Sequence, residues 1–258
     1  SGTSTGAISG RNVAIGNSAL AAEDVGDRSV AVGYYAMTSQ NSDSDNEETG
    51  NTGVGYAAAY YNVTGQNNTY IGFKSGFGAS GQSNNYNTAV GYNSLLKITD
   101  GGYNVALGSR AGEDLTTGDF NVFVGDYAGH SSVDVDRTVA IGHEAMGSGI
   151  VTSDGDGTIA IGYQTLAAMT TGQYNVAVGY QAMLVETQGD RSTAVGYQAL
   201  KDQNGVNGEV HNTAVGYIAG HNITTGKSNT ILGSEAGTAL TTASQSICIG
   251  RTAGNTIS

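Results

Sequence analysis

One short phrase, Asn-Thr-Ala-Val-Gly as it stands at Asn212 to Gly216, recurs fourteen times with small variations. The closing glycines run from Gly16 and Gly33 through Gly179 and Gly196 to Gly250. Nine of the thirteen intervals between them are 17 residues; the others are 22, 19, 20 and 20. A fixed period with occasional insertions is the signature of a stacked-repeat architecture. A 17-residue period holds short strands and turns but not two helices. With 41 glycines in 258 residues, the turn-rich composition also disfavours helix. The prediction is an all-β parallel β-solenoid of about 14 coils, each with two short strands and two turns.

Each column of the repeat behaves as one structural position. Three residues before the glycine every copy is β-branched, from Val13 to Ile247, and one before it every copy is Val, Ile or Leu. Such a pair, separated by one residue, defines a short strand with one apolar face. The residue between them is Ala in nine copies but also Gly53, Tyr70, Phe123, Ile231 and Cys248. That spread of volumes places the middle column in a looser environment than its neighbours, at a subunit interface or in solvent. The first residue of the phrase is Asn nine times, and stacked Asn forms amide ladders. The glycine supplies a positive φ or a close backbone approach. After it the next residue is often Tyr, the third is small, and the fourth is commonly Leu, Met or Gly.

The repeat predicts one elongated domain over 1–258, with a lead-in at 1–11, coils over 12–254 and a stub at 255–258. Fourteen coils stacked at the inter-strand spacing make a rod of about 65 Å. Its ends carry no evident polar cap, so they are expected to abut further chain or other subunits. Only 12% of the residues are charged, which predicts faces buried between chains. The net charge of −12 argues against neutralising nucleic-acid phosphates. No apolar run approaches a membrane span, so no membrane insertion by this chain is expected. Cys248 stands alone and reads as a small apolar residue.

No catalytic constellation stands out: His130, His143, His211 and His221 fall in different coils, without a nucleophile motif nearby. An enzyme on a β-solenoid is remote because no paired carboxylates stand at one defined phase. The four insertions share one phase, around Thr38 to Gly50, Ser80 to Tyr86, Gly147 to Gly157 and Lys201 to His211. They bulge from one edge. Asp43, Asp45, Asp154 and Asp156 offer oxygen ligands suited to Ca²⁺, although a solvated charge cluster is the commoner outcome. With Glu47 and Glu48 these loops would form an acidic edge for cation-assisted surface contact. No other cofactor is expected. Tyr163, Tyr180, Tyr197 and Tyr217 of four consecutive coils should stack as a ladder that contacts a partner or a glycan. Thr52, Thr69 and Thr88 also stack, which raises an ice-binding alternative for whichever face is outward.

Asn12-Val-Ala-Ile-Gly-Asn-Ser-Ala19, followed by Ser29-Val-Ala-Val-Gly33, resembles the head repeat of YadA-like trimeric autotransporter adhesins. The Tyr-Gln-Ala-Leu and Thr-Thr-Gly variants are similar to repeats in tail fibres of bacteriophages and other viruses. The resemblance implies a left-handed β-roll assembled as a homotrimer. It implies an extracellular site, on a cell surface or a virion fibre, and attachment to a host glycan or protein.

Overall fold

The structure is a computed structural model and describes residues 11–42, 48–152, 155–205 and 208–255. The chain divides into two compact units, Ser1–Val124 and Gly125–Ser258. Both are parallel β-solenoids with a period of about 17 residues, and no α-helix occurs among the described residues. The first unit stacks seven three-residue strands: β1 (Val13–Ile15), β2 (Val30–Val32), β3 (Thr52–Val54), β4 (Thr69–Ile71), β5 (Thr88–Val90), β6 (Val105–Leu107) and β7 (Val122–Val124). In the second, β8 (Val139–Ile141), β9 (Ile159–Ile161), β10 (Val176–Val178), β12 (Thr193–Val195), β14 (Thr213–Val215), β15 (Thr230–Leu232) and β16 (Ile247–Ile249) do the same. Every pairing is parallel and joins like columns, as in Val176↔Thr193 and Val178↔Val195. The expected second strand of each coil is a run of turns instead. Only β11 (Gly189–Asp190) and β13 (Gly208–Glu209) pair away from the main ladders as named strands. Between strands the backbone visits the left-handed region at ordinary residues, such as Gln181 and Met183 with φ of 52° and 50°. Left-handed backbone cannot continue a ladder, so coil-to-coil hydrogen bonds hold these turns singly, as in Gln181 N to Tyr163 O at 2.9 Å.

The strands point the opposite way from the expectation. The middle column is the interior: Ala31, Tyr70, Phe123 and Ala177 have no exposed surface, while the β-branched columns on either side are half-buried or exposed. Alternation in a three-residue strand sends one side chain inward and two outward. A thin coil has room inside for one small residue, so Ala takes that place. The wide spread of volumes reflects pairing with the fourth residue after the glycine. Where that residue is Leu or Met, as at Leu166, Met183 and Leu200, the middle residue is Ala. Where the middle residue is large, the partner is glycine. A Cβ at Gly76 would lie 2.4 Å from the Tyr70 ring, and one at Gly237 3.0 Å from Ile231. Two coils pair alanine with glycine, Ala106 with Gly112 and Ala214 with Gly220, and there Phe123 and Ile231 of the next coil fill the space, as close packing requires.

A third inward column lies seven residues after each glycine, in stretches that read as loop. Ile98, Leu115, Met169, Ile223 and Leu240 are buried there. Polar residues hold the same position in other coils. Glu186 has no exposed surface, and its carboxylate accepts the Gly189 and Gly205 N–H groups at 2.7 and 3.0 Å. Backbone donors converging on a buried carboxylate offset its desolvation without a cation.

The predicted Asn ladder is present. Asn104 N and Nδ2 both donate to Asn87 Oδ1, at 2.9 and 3.1 Å, and Nδ2 also reaches Gly118 O at 2.8 Å. Asn229 repeats the pattern on Asn212 at 2.9 and 3.1 Å. Three rungs carry serine instead, Ser29, Ser192 and Ser246, and the first two are repaired from the next connector. At Ser192, Asn212 N donates to the hydroxyl at 3.3 Å, while Asn212 Nδ2 turns to Gln203 Oε1 at 2.8 Å. At Ser29, Asn51 and Gln40 make the same pair of bonds at 3.4 and 3.0 Å. Both serines lie six residues after a carboxylate, Glu23 or Glu186, that occupies the inward column of the coil before.

Burial also sets an alkaline limit on the first unit. The Tyr70 phenol donates to Asn84 Oδ1, and its burial pushes the pKa well above the ordinary value. The folded pKa is the higher one, so this contribution is complete below the unfolded pKa of about 10 and is lost as pH rises beyond it. The loss approaches about 1.4 kcal/mol per pH unit. Urea midpoints at pH 8 and pH 11 should fall more for the parent than for Tyr70→Phe. Equal falls would show that Tyr70 does not set the limit.

Candidate functional site

Because the strands show two side chains outward, each unit carries rows of apolar side chains on its surface. Ile71, Val90 and Leu107 are exposed in the first unit and Leu232 and Ile249 in the second, Ile249 to 64%. The residue after the glycine, two positions beyond the outer strand column, extends this face with aromatic rings. In the second unit His143, Tyr163, Tyr180, Tyr197 and Tyr217 form one row, with centroids 5.5, 5.1, 5.1 and 5.3 Å apart and planes within 16° of parallel. The structure therefore brings together all four tyrosines named from the sequence. Each ring gives its faces to its neighbours, so the row presents edges and hydroxyls outward. A sugar ring, which stacks on an aromatic face, has no purchase along its middle. The first unit holds a matching row, Tyr34–Tyr56–Phe73–Tyr92, at 5.8, 5.0 and 5.4 Å.

Beside the second unit's aromatic row runs a column that sequence reasoning missed. Gln164 Nε2 donates to Glu144 Oε2 at 2.7 Å, Gln181 to Gln164 at 2.9 Å, and Gln198 to Gln181 at 2.9 Å. The recurring Tyr-Gln pair was the available signal, since a residue next to a stacked column is itself stacked. The glutamine column ends one coil before the aromatic row does. After Tyr217 the next coil supplies Ser234, and after Gln198 the next residues in column are Ile218 and Glu235. The step that results is an open groove of about 300 Å³ whose lining includes Tyr217, Gln198, His221, Asn222 and Glu235.

The acidic candidates do not gather into one centre. Asp43, Asp45, Glu47 and Asp154 lie outside the described residues. Asp156 accepts the Asp136 N–H at 2.8 Å and faces Arg137 at 3.8 Å; burial raises its pKa, partly offset by that N–H. Glu48 pairs with Arg28 at 2.5 Å. Among the described residues no three His, Cys, Asp or Glu side chains are grouped to hold a metal ion. No helix among them is long and apolar enough to cross a membrane.

The strand, glycine turn and small residue after it are all present in the first two coils. Residues 13–36 match the YadA head domain repeat, in two copies. No curated protein and no solved structure matches the chain. The YadA head repeat is a structural and adhesive unit, and the matched stretch includes β1, β2 and the glycines Gly16 and Gly33.

Proposed function

We propose that the chain is a non-enzymatic adhesive fibre module that works as a homotrimer outside the cell, on a cell surface or a virion fibre, and attaches it to a host. The observation that carries this reading is the outward turn of both apolar strand columns in every coil. A monomer would leave a continuous band of Val, Ile, Leu and Thr in water, well beyond the scattered apolar side chains normal for a soluble surface. Three copies related by a common axis would cover that band. Light scattering should return three times the protomer mass at micromolar concentration. Val195→Lys places a charge in the middle of the band and is expected to weaken assembly at least about tenfold by costing an unpaired buried charge. A stable parent monomer, or a Val195→Lys trimer of undiminished affinity, would remove the reading.

One observation favours a second reading. Thr52, Thr69 and Thr88 face outward in adjacent, in-register strands, as do Thr193, Thr213 and Thr230. A regular outward threonine row could order water on an ice lattice. The two readings compete for one face, so inhibition of ice recrystallisation by a monomeric chain would select the second.

A further inference from the structure

We propose that the step at the end of the second unit's aromatic row, between Tyr217 and Glu235, binds an arginine side chain of a partner polypeptide.

Elsewhere in this protein a cation lies over an aromatic ring. In the first unit Tyr92 closes the row, and the Arg110 guanidinium of the next coil lies 5.8 Å from its ring. In the second unit the Arg191 guanidinium lies 5.9 Å from Tyr174. Lys74 covers Phe77 at 5.1 Å. An aromatic face that has lost its stacking neighbour carries negative potential, and a cation is the side chain that neutralises it.

Tyr217 differs from Tyr92. Its inner face stacks on Tyr197, the residue is 53% exposed, and no ring or cation covers its other face among the described residues. The comparison with Tyr92 is position for position. Both tyrosines follow the repeat glycine, and Ser109 and Ser234 take the next rung in each case. The residue after that serine is Arg110 in one unit and Glu235 in the other. The position that supplies a cation in the first unit thus carries a carboxylate in the second. The Glu235 carboxylate makes no ion pair among the described residues. Its backbone is fixed by the Glu235 N to Tyr217 O bond of 2.8 Å, and Glu235 and Tyr217 line the same groove.

Aromatic face, unpaired carboxylate and the flanking Gln198 and Asn222 amides suit a planar, multiply donating cation. Guanidinium stacks flat on the ring and offers a fork of N–H donors to the carboxylate, which a lysine ammonium cannot do. The net charge of −12 draws basic partners to the surface. The proposal refines the adhesive reading by naming the chemistry of one contact, and it stands or falls independently of oligomeric state.

The test is an NMR titration of the intact chain with Nα-acetyl-arginine amide, Nα-acetyl-lysine amide and N-acetylglucosamine, following the Tyr217 ring signals. Saturable shifts with the arginine probe, and weaker binding of the lysine probe, are expected. Glu235→Gln, which preserves shape, should weaken arginine binding by about tenfold through loss of the charge. Glu235→Arg should abolish binding by capping Tyr217 from within, with strand content unchanged by circular dichroism. Shifts with the sugar and none with arginine would overturn the proposal in favour of a glycan site. It is equally overturned if no probe shifts Tyr217 or if arginine binds Glu235→Gln with parent affinity. Light scattering on the same samples reports assembly separately, so failure of the step and failure of the trimer are read apart.

Discussion

Gly179→Ala is expected to cost about 3–5 kcal/mol, combining backbone strain with overpacking. Gly179 sits at φ 135°, a conformation that L side chains rarely adopt. A Cβ built on it would lie 2.3 Å from Gly196 O of the next coil. Relief would require two coils to separate, and their spacing is fixed by the bonds on either side, such as Gly196 N to Val178 O at 2.8 Å. The chain contains its own control. Gly250 closes the last strand with a similar φ of 115°, yet a Cβ there would meet nothing within 4 Å. Gly250→Ala should therefore cost only the strain, about 1–3 kcal/mol. Urea unfolding of both variants separates the two causes. Equal losses would mean that the close approach between coils contributes nothing.

Asn212→Ala should be nearly as damaging, by about 3–5 kcal/mol, because several buried groups lose a partner at once. The Asn212 carboxamide oxygen accepts Asn229 N and Nδ2, at 2.9 and 3.1 Å, and its Nδ2 donates to Gln203 Oε1 and Gly226 O at 2.8 and 2.7 Å. Alanine fills none of these positions, and each orphaned group keeps its desolvation cost without compensation. Gln203→Ala removes only part of the same network. The double variant should then be less destabilised than the sum of the singles, with a coupling above about 0.5 kcal/mol in a double-mutant cycle. A loss below 1 kcal/mol for Asn212→Ala would show that water replaces the rung freely.

The strands, the glycine turns, the Asn ladder and the stacked tyrosines were all legible, because a stacked fold writes each three-dimensional column as a sequence period. The direction of the strand was not. Val176 and Val178 look like core beside Ala177, and hydrophobicity alone assigns them inward. What decides is the bore of the coil, which admits Ala177 above Met183 and leaves no room for two branched side chains. The pairing of Tyr70 with Gly76 could have revealed this, but only by comparing two columns within one coil. Met169 and Leu240 were hidden because the connectors read as loop, although they recur at a constant distance from the glycine. At the candidate site Tyr217 was visible as a member of a row. Its distinction as the uncapped last member depends on Glu235 standing where Arg110 stands in the other unit, and that asymmetry emerges only after the rings are placed.

The repaired rungs bear on how such a chain can grow. Glu23, Ser29 and Gln40 recur as Glu186, Ser192 and Gln203 at identical spacings. Gln203 bonds back to both earlier members, to Glu186 Oε2 at 2.8 Å and to the Ser192 hydroxyl at 3.2 Å. Lengthening a solenoid by copying one coil works wherever a rung is Asn on Asn, since each copy brings both halves of its own bonds. Around a serine it fails, because a copied serine coil brings its own glutamine but not the carboxylate of the coil before, to which that glutamine is tied. There the heritable unit is a block of two coils. Recombination within that block should be purged, while recombination among the plain Asn coils leaves arrays free to change length.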